Sequence, residues 1–175
     1  MRIPTRLTVT LALAATSTLG AGGLLGACSS SSTSADTTTT STTSATASAP
    51  ATGEFTRTIL AQSPADNAPG QTLYLQKVDF GPHAETPIHH HEGLQESTVL
   101  SGDLTYSVVT GSAGLRRASG ATSTIDAGSK VVLHAGDTLI EYQTTVHQGA
   151  NDTNKVVSLM VTSLLAAEAP LSTNN

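Results

Sequence analysis

The residues best suited to chemistry lie in one stretch, Pro87-Ile88-His89-His90-His91-Glu92-Gly93-Leu94-Gln95-Glu96. Side chains of an extended segment alternate with period 2, so His89 and His91 share one face while His90 takes the other. Glu92-Gly93 then gives a turn signal, and Gln95 or Glu96, returning behind it, can close on the same point. Two imidazoles and one oxygen donor from a single hairpin make three ligands of a metal site. Imidazole suits zinc, copper, iron and nickel. A fourth ligand must arrive from a distant part of the chain, and His147 is the candidate.

The elements that must position these residues read as strands. Thr56 to Ala61 and Gln71 to Phe80 alternate apolar and polar residues, separated by the loop Ser63-Pro64-Ala65-Asp66-Asn67-Ala68-Pro69-Gly70. Thr86 to His91 is the first ligand-bearing stretch. Gln95 to Leu100 leads through the turn Ser101-Gly102-Asp103 into Leu104 to Thr110. Gly111 to Ala127 lacks clear periodicity and is expected as a long loop or a ragged hairpin. Lys130 to Leu133, Thr138 to Tyr142 and Val146 to Ala150 follow as short strands, the last carrying His147. Lys155 to Leu165 is the longest apolar run; its valines and the preceding Asn151-Asp152-Thr153-Asn154 turn favour strand over helix. No stretch sustains a 3.6-residue amphipathic pattern, so a sandwich or barrel is predicted.

The flanking segments carry other information. Arg2 and Arg6 precede an apolar and small-residue run from Leu7 to Gly26, which reads as an export signal over residues 1–27. It ends in Leu25-Gly26-Ala27-Cys28, which resembles the lipobox of bacterial lipoproteins. That resemblance implies cleavage before Cys28, lipidation of Cys28, and anchoring of the exported protein to the outer face of the bacterial cell membrane. Residues 28–53 are almost entirely Ser, Thr and Ala after the cysteine, a composition that cannot offset its own ordering entropy and reads as a tether. Cys28 is the only cysteine, so the remaining domain has neither disulfide nor thiolate ligand. Any metal must be held by His, carboxylate or amide groups. The formal net charge is −5 and no basic patch exceeds Arg116-Arg117, so nucleic acid is not an expected partner. Residues 166–175 are expected as a loose C-terminal tail.

With both halves of the domain in view, the pattern resembles the cupin superfamily, specifically small single-domain cupins of type 2. Their second motif is matched in spacing by Gly136, Tyr142, Thr144, His147 and Asn151, with Tyr142 and Thr144 replacing the usual Pro and Gly. Their first motif is matched by His89, His91 and Gly102; counting back from Gly102 puts Gln95 on the usual carboxylate position. His83 stands where a Gly is usual, with Gly81 nearby. The resemblance covers most of Gln71 to Leu165. It implies an all-β, double-stranded β-helix (jelly-roll) barrel over residues 54–165. It also implies that His89, His91, position 95 and His147 face one cavity and hold a divalent transition metal: manganese, iron, zinc, copper or nickel.

Alternation separates Gln95 from Glu96. In a strand from Gln95 to Ser101, Gln95, Ser97 and Val99 share one face and Glu96, Thr98 and Leu100 the other. The family step favours Gln95, with Glu96 as the alternative. An amide in place of a carboxylate leaves a divalent ion its full charge, which makes it a stronger Lewis acid and attracts anions. The remaining polar residues read as structural: Asn151 and Asp137 as turn formers, Tyr106 and Tyr142 as packing residues (Tyr142 alternatively edging the cavity), His134 and Glu141 as solvated, His90 as solvated or at an interface, and His83 as solvated or at the cavity rim, where it could partner a ligand imidazole. Arg116-Arg117 is a solvated pair or a greeting for an anion at the barrel mouth. No acid or base beside the metal is evident, because Ser97 and Val99 are small or apolar.

Two functions compete. One is a metal-dependent enzyme of the oxygenase, lyase or isomerase type acting on a small organic molecule. The other is a non-catalytic module that binds a metal or small ligand. Paired copies joined through sheet edges are a further expectation. Loading outside the cytoplasm puts zinc, copper and manganese on an equal footing with ferrous iron.

Overall fold

Alternation of apolar residues dictates the architecture seen in a computed structural model, which describes residues 48–175. The export signal, Cys28 and most of the Ser/Thr tether lie outside the described residues. The strands are β1 (Phe55–Pro64), β2 (Gln71–Phe80), β3 (His89–His90), β4 (Gly93–Ser101), β5 (Leu104–Thr110) and β6 (Ser112–Arg116). They continue with β7 (Thr122–Asp126), β8 (Lys130–Leu133), β9 (Thr138–Glu141), β10 (Val146–Ala150), β11 (Val157–Ala166) and β12 (Thr173–Asn174). No helix among the described residues is long and apolar enough to cross a membrane.

The strands form a seven-stranded sheet, β1-β2-β11-β4-β9-β6-β7, and a five-stranded sheet, β12-β3-β10-β5-β8. Every pairing is antiparallel. The non-sequential neighbours close a jelly roll. One apolar cluster joins Val78, Val99, Leu139 and Val161 of the larger sheet to Leu104, Val108 and Leu133 of the smaller, so the two sheets bury their faces against each other. In β11, Val157, Leu159, Val161, Ser163 and Leu165 are buried while their neighbours are more exposed, which confirms strand rather than helix for the longest apolar run.

Two turns of the sequence motifs carry their glycines for steric reasons. Gly102 (φ +81°) links β4 to β5, where a Cβ would lie 2.9 Å from Val157 Cγ2. Gly136 (φ +89°) precedes β9, with Ala118 Cβ as close. L side chains avoid this left-handed region.

Of the long loop or ragged hairpin expected over Gly111 to Ala127, the structure forms a regular hairpin, β6–β7, running from Ser112↔Asp126 to Arg116↔Thr122. Its inward face is only Ala113, Leu115 and Ile125, too few apolar residues to show a period. Residues 166–175 are not a loose tail. Ala166 completes β11, and β12 returns to pair with β3 through Thr173↔His90 and Asn174↔His89.

Candidate metal centre

The fold brings residues 89 and 147 together as a directly opposed pair, because β10 lies against β3 in the register His147↔His89. His91 follows β3 by one residue and turns to the same face, as period 2 requires. All three are buried. The ring centroids lie 4.3 Å (His89–His147), 5.0 Å (His89–His91) and 5.3 Å (His91–His147) apart. One potential ligand atom from each falls within 4.8 Å of the others.

Backbone carbonyls fix two of the three tautomers. His89 Nδ1 donates to Pro87 O at 2.8 Å, and His91 Nδ1 donates to Leu171 O at 2.7 Å. A carbonyl only accepts, so both rings carry their proton on Nδ1 and present the Nε2 lone pair. Neither nitrogen of His147 has a hydrogen-bond partner among the described residues, although both are buried. Burial depresses all three imidazoles, His91 to about 4 and His147 to about 3. They are neutral near pH 7, the state in which imidazole binds a metal. A set of buried neutral imidazoles fits a divalent transition ion, and the orphaned nitrogens of His147 are the clearest sign of that fit.

Gln95 faces inward and Glu96 outward, as alternation along β4 requires. The surroundings of Gln95 set its role. Gln76 Nε2 donates to Ser163 Oγ at 3.0 Å, and Ser163 Oγ donates to Gln95 Oε1 at 2.8 Å. Gln95 Nε2 then donates to His91 Nε2 at 2.9 Å and to Glu141 Oε2 at 2.6 Å. Turning the amide over would set its oxygen against the Glu141 carboxylate. The side chain therefore presents its nitrogen to the centre, while its oxygen is held by Ser163.

Glu141 was expected in solvent and is instead 3% exposed. It stands opposite Gln95 in the β4–β9 register. Its Oε2 lies 3.6 Å from His91 Nε2 and its Oε1 3.3 Å from His147 Nδ1. The sequence signal was its place two residues after Leu139, which is 1% exposed and inward. Ile140 is apolar too, so the inward face of Thr138 to Tyr142 was ambiguous.

Beside the imidazoles is a cavity of about 50 Å³, walled in part by Arg57, His89, Gln95, Tyr106, Glu141 and His147. Tyr106 lies under His147, with ring centroids 5.2 Å apart, and its buried hydroxyl is turned toward Glu141 without a hydrogen bond of good geometry. Burial first, and then the nearby Glu141 charge, push its ionisation far above the usual phenol range, so it remains a neutral O–H donor. Arg57 was not singled out in the sequence. It reaches the cavity from β1, and the Glu141 charge acts on it there.

The other polar residues lie away from the centre. His83 is exposed and meets Asn154 Oδ1 at 2.8 Å; His134 meets Asp103 Oδ1 at 2.7 Å. His90 points away and is held by Asn175 at 2.6 Å and Glu92 at 3.2 Å. Tyr142 is 46% exposed. Asp137 accepts from the backbone of His134 and Ala118 and pairs with Arg117 at 2.7 Å, which takes Arg117 out of consideration as a free cation. Asn151 is buried and ties its turn to Phe80 O and Gly81 O at the end of β2.

No protein-family model matches the chain, and no curated protein matches it in sequence. Among solved structures it is similar to a cupin 2 domain-containing protein from Halorhodospira halophila, at 13% identity and TM-score 0.47 over 69% of this chain and 70% of that one. It is also similar to KdgF from Halomonas sp., at 20% identity and TM-score 0.44, covering 62% and 77%. The DMSP lyase DddQ from Ruegeria pomeroyi shows 13% identity and TM-score 0.45, covering 59% and 43%. The chain thus spans less than half the length of that lyase. The strand order and register themselves define the architecture, which is an all-β jelly roll of two antiparallel sheets.

Proposed function

We propose that this domain is a metal-dependent cupin that transforms a small organic molecule at His89, His91 and His147. The observation that carries the reading is the convergence of three buried, neutral imidazoles from β3, the segment after it and β10. The ion they hold is a divalent transition metal: manganese, iron, zinc, copper or nickel. Such an ion supplies Lewis acidity to a bound oxygen atom. Gln95 and Glu141 complete the surroundings. In this reading Nδ1 of His147 faces Glu141 Oε1 and donates to it when the ion is bound. All three imidazoles would then use Nδ1 for an oxygen and leave Nε2 for the metal, with Gln95 Nε2 giving up its bond to His91, and carboxylate–histidine–metal arrangements of that kind fix ring orientation.

Two groups favour turnover over simple binding. Glu141 is a buried carboxylate able to take a proton at the cavity wall, and the Tyr106 hydroxyl beside it is a neutral donor. A buried acid and base pair beside a cavity is the usual provision for proton transfer. The finer proposal places this domain outside the cell membrane. Its support is the basic start, the apolar run and Leu25-Gly26-Ala27-Cys28, with lipid on Cys28 as the anchor.

Elemental analysis of the purified protein tests the reading. One transition-metal ion per chain is expected, lost in His147→Ala with the β-sheet spectrum retained. A protein that takes up no such ion, or whose His147→Ala variant binds it as well, would overturn the assignment.

A further inference from the structure

β1 is the outer strand of the seven-stranded sheet, and its residues from Thr58 onward are exposed. Phe55 and Arg57, two apart and so on one face, turn inward and wall the cavity. An arginine on an edge strand is free to extend into water while its stem covers apolar surface. Arg57 does the reverse. Its Nε is buried with no hydrogen-bond partner, and no ion pair involves it among the described residues. Its Cζ sits 5.6 Å from the Phe55 ring centroid, and Phe55 in turn packs edge-on against Phe80 at 5.0 Å. The guanidinium is therefore held by stacking, with donors unspent, in a cavity whose other walls include His89, His147 and Glu141.

A guanidinium remains charged in proteins, and its planar fork matches a carboxylate. The cavity of about 50 Å³ has room for about three or four water-sized groups. That suits a short carboxylic acid. We propose that Arg57 receives the carboxylate of a short anionic ligand whose other end lies at the imidazoles. The placement of that other end rests on the metal-centre reading; the carboxylate contact does not.

Lactate and lactamide match in shape and differ in charge, which makes them suitable probes. Each is titrated into the purified protein stripped of metal by chelation, and again after loading with zinc, following amide and arginine Nε–H resonances. In the metal-free protein lactate should bind at least about tenfold tighter than lactamide, and the Arg57 Nε–H resonance should move. The preference should vanish in Arg57→Met and survive in part in Arg57→Lys, which keeps the charge and loses the fork. Equal binding of the two probes, a preference that persists in Arg57→Met, or one that appears only with zinc would overturn the proposal. Zinc uptake is measured in the same samples, so failure of the metal centre is seen separately from failure of the carboxylate site.

Discussion

The carboxylate of Glu141 and the amide of Gln95 face each other across one rung of the sheet, 2.6 Å apart, which permits an exchange experiment. Glu141→Gln removes the only carboxylate touching His91 and His147 among the described residues. A unit charge about 4 Å away at an effective dielectric near 20 contributes about 4 kcal/mol per unit charge of the ion. Freeing the carboxylate from its own desolvation returns several kcal/mol of that. The difference should be about 1.4 to 3 kcal/mol, a loss of about ten- to a hundredfold in metal affinity, as is usual when the partner of a ligating histidine is removed. The substituted amide also presents an N–H toward His147 Nδ1, favouring the tautomer that blocks Nε2.

Gln95→Glu in the same chain should restore at least about tenfold of that affinity. The exchanged network remains satisfied: Ser163 donates to the new carboxylate as it did to Gln95 Oε1, and the new amide at 141 donates across the rung. Gln95→Glu alone should be the least stable of the set, because two buried carboxylates would meet at hydrogen-bond distance. Zinc affinity by calorimetry with a competing chelator, together with thermal unfolding of the four proteins, gives the full cycle. An unchanged affinity in Glu141→Gln, or no recovery in the exchanged pair, would refute the reasoning.

Two further outcomes follow from the same geometry. His91 and His147 titrate near 4 and 3 when folded, against an ordinary 6.5. Lowered folded values mean that the unfolded chain binds more protons between about pH 6.5 and 4, so the metal-free protein should lose stability as pH falls through that window. The slope is about 1.4 kcal/mol per pH unit for each histidine; urea midpoints at pH 7, 6 and 5 measure it, and a flat profile contradicts the burial assigned to these rings. Deleting residues 171–175 removes the Leu171 carbonyl that holds His91 Nδ1 at 2.7 Å. Metal affinity should fall about ten- to a hundredfold while the core, which these residues do not enter, keeps its cooperative melt; an unchanged affinity would show that His91 needs no such anchor.

Three cavity residues show what a single strand pattern reveals and what it hides. Gln95 was legible because β4 alternates strictly, with Gln95, Ser97 and Val99 buried against exposed Leu94, Glu96 and Leu100. Glu141 obeys the same rule, since it shares a face with buried Leu139. Leu139 and Ile140 are both apolar, however, so either face of that strand reads as the inside. Arg57 shares a face with Phe55 in a strand that is otherwise exposed, and nothing local distinguishes an arginine turned into a cavity from one lying in water. The tail was misread for a different reason. Apart from Asn175 Oδ1 on His90, its hydrogen bonds to β3 and His91 are backbone to backbone or backbone to imidazole, and such bonds leave no trace in residue type.

That difference bears on how the charge of the centre should be understood. Position 95 taken alone predicts a metal ion carrying its full charge, since an amide stands where a carboxylate is expected. The register between β4 and β9 supplies the missing negative charge from Glu141, beside the same imidazoles. One motif taken alone therefore gives the wrong electrostatics. The neighbour across the sheet corrects it, because in a jelly roll an inward side chain meets partners far away in sequence, as Gln95 meets Glu141. Arg57 then gains its significance from this balance. With Glu141 offsetting part of the ion's charge, a separate cation in the cavity is what would hold a carboxylate ligand away from the metal and leave its other end free to reach it.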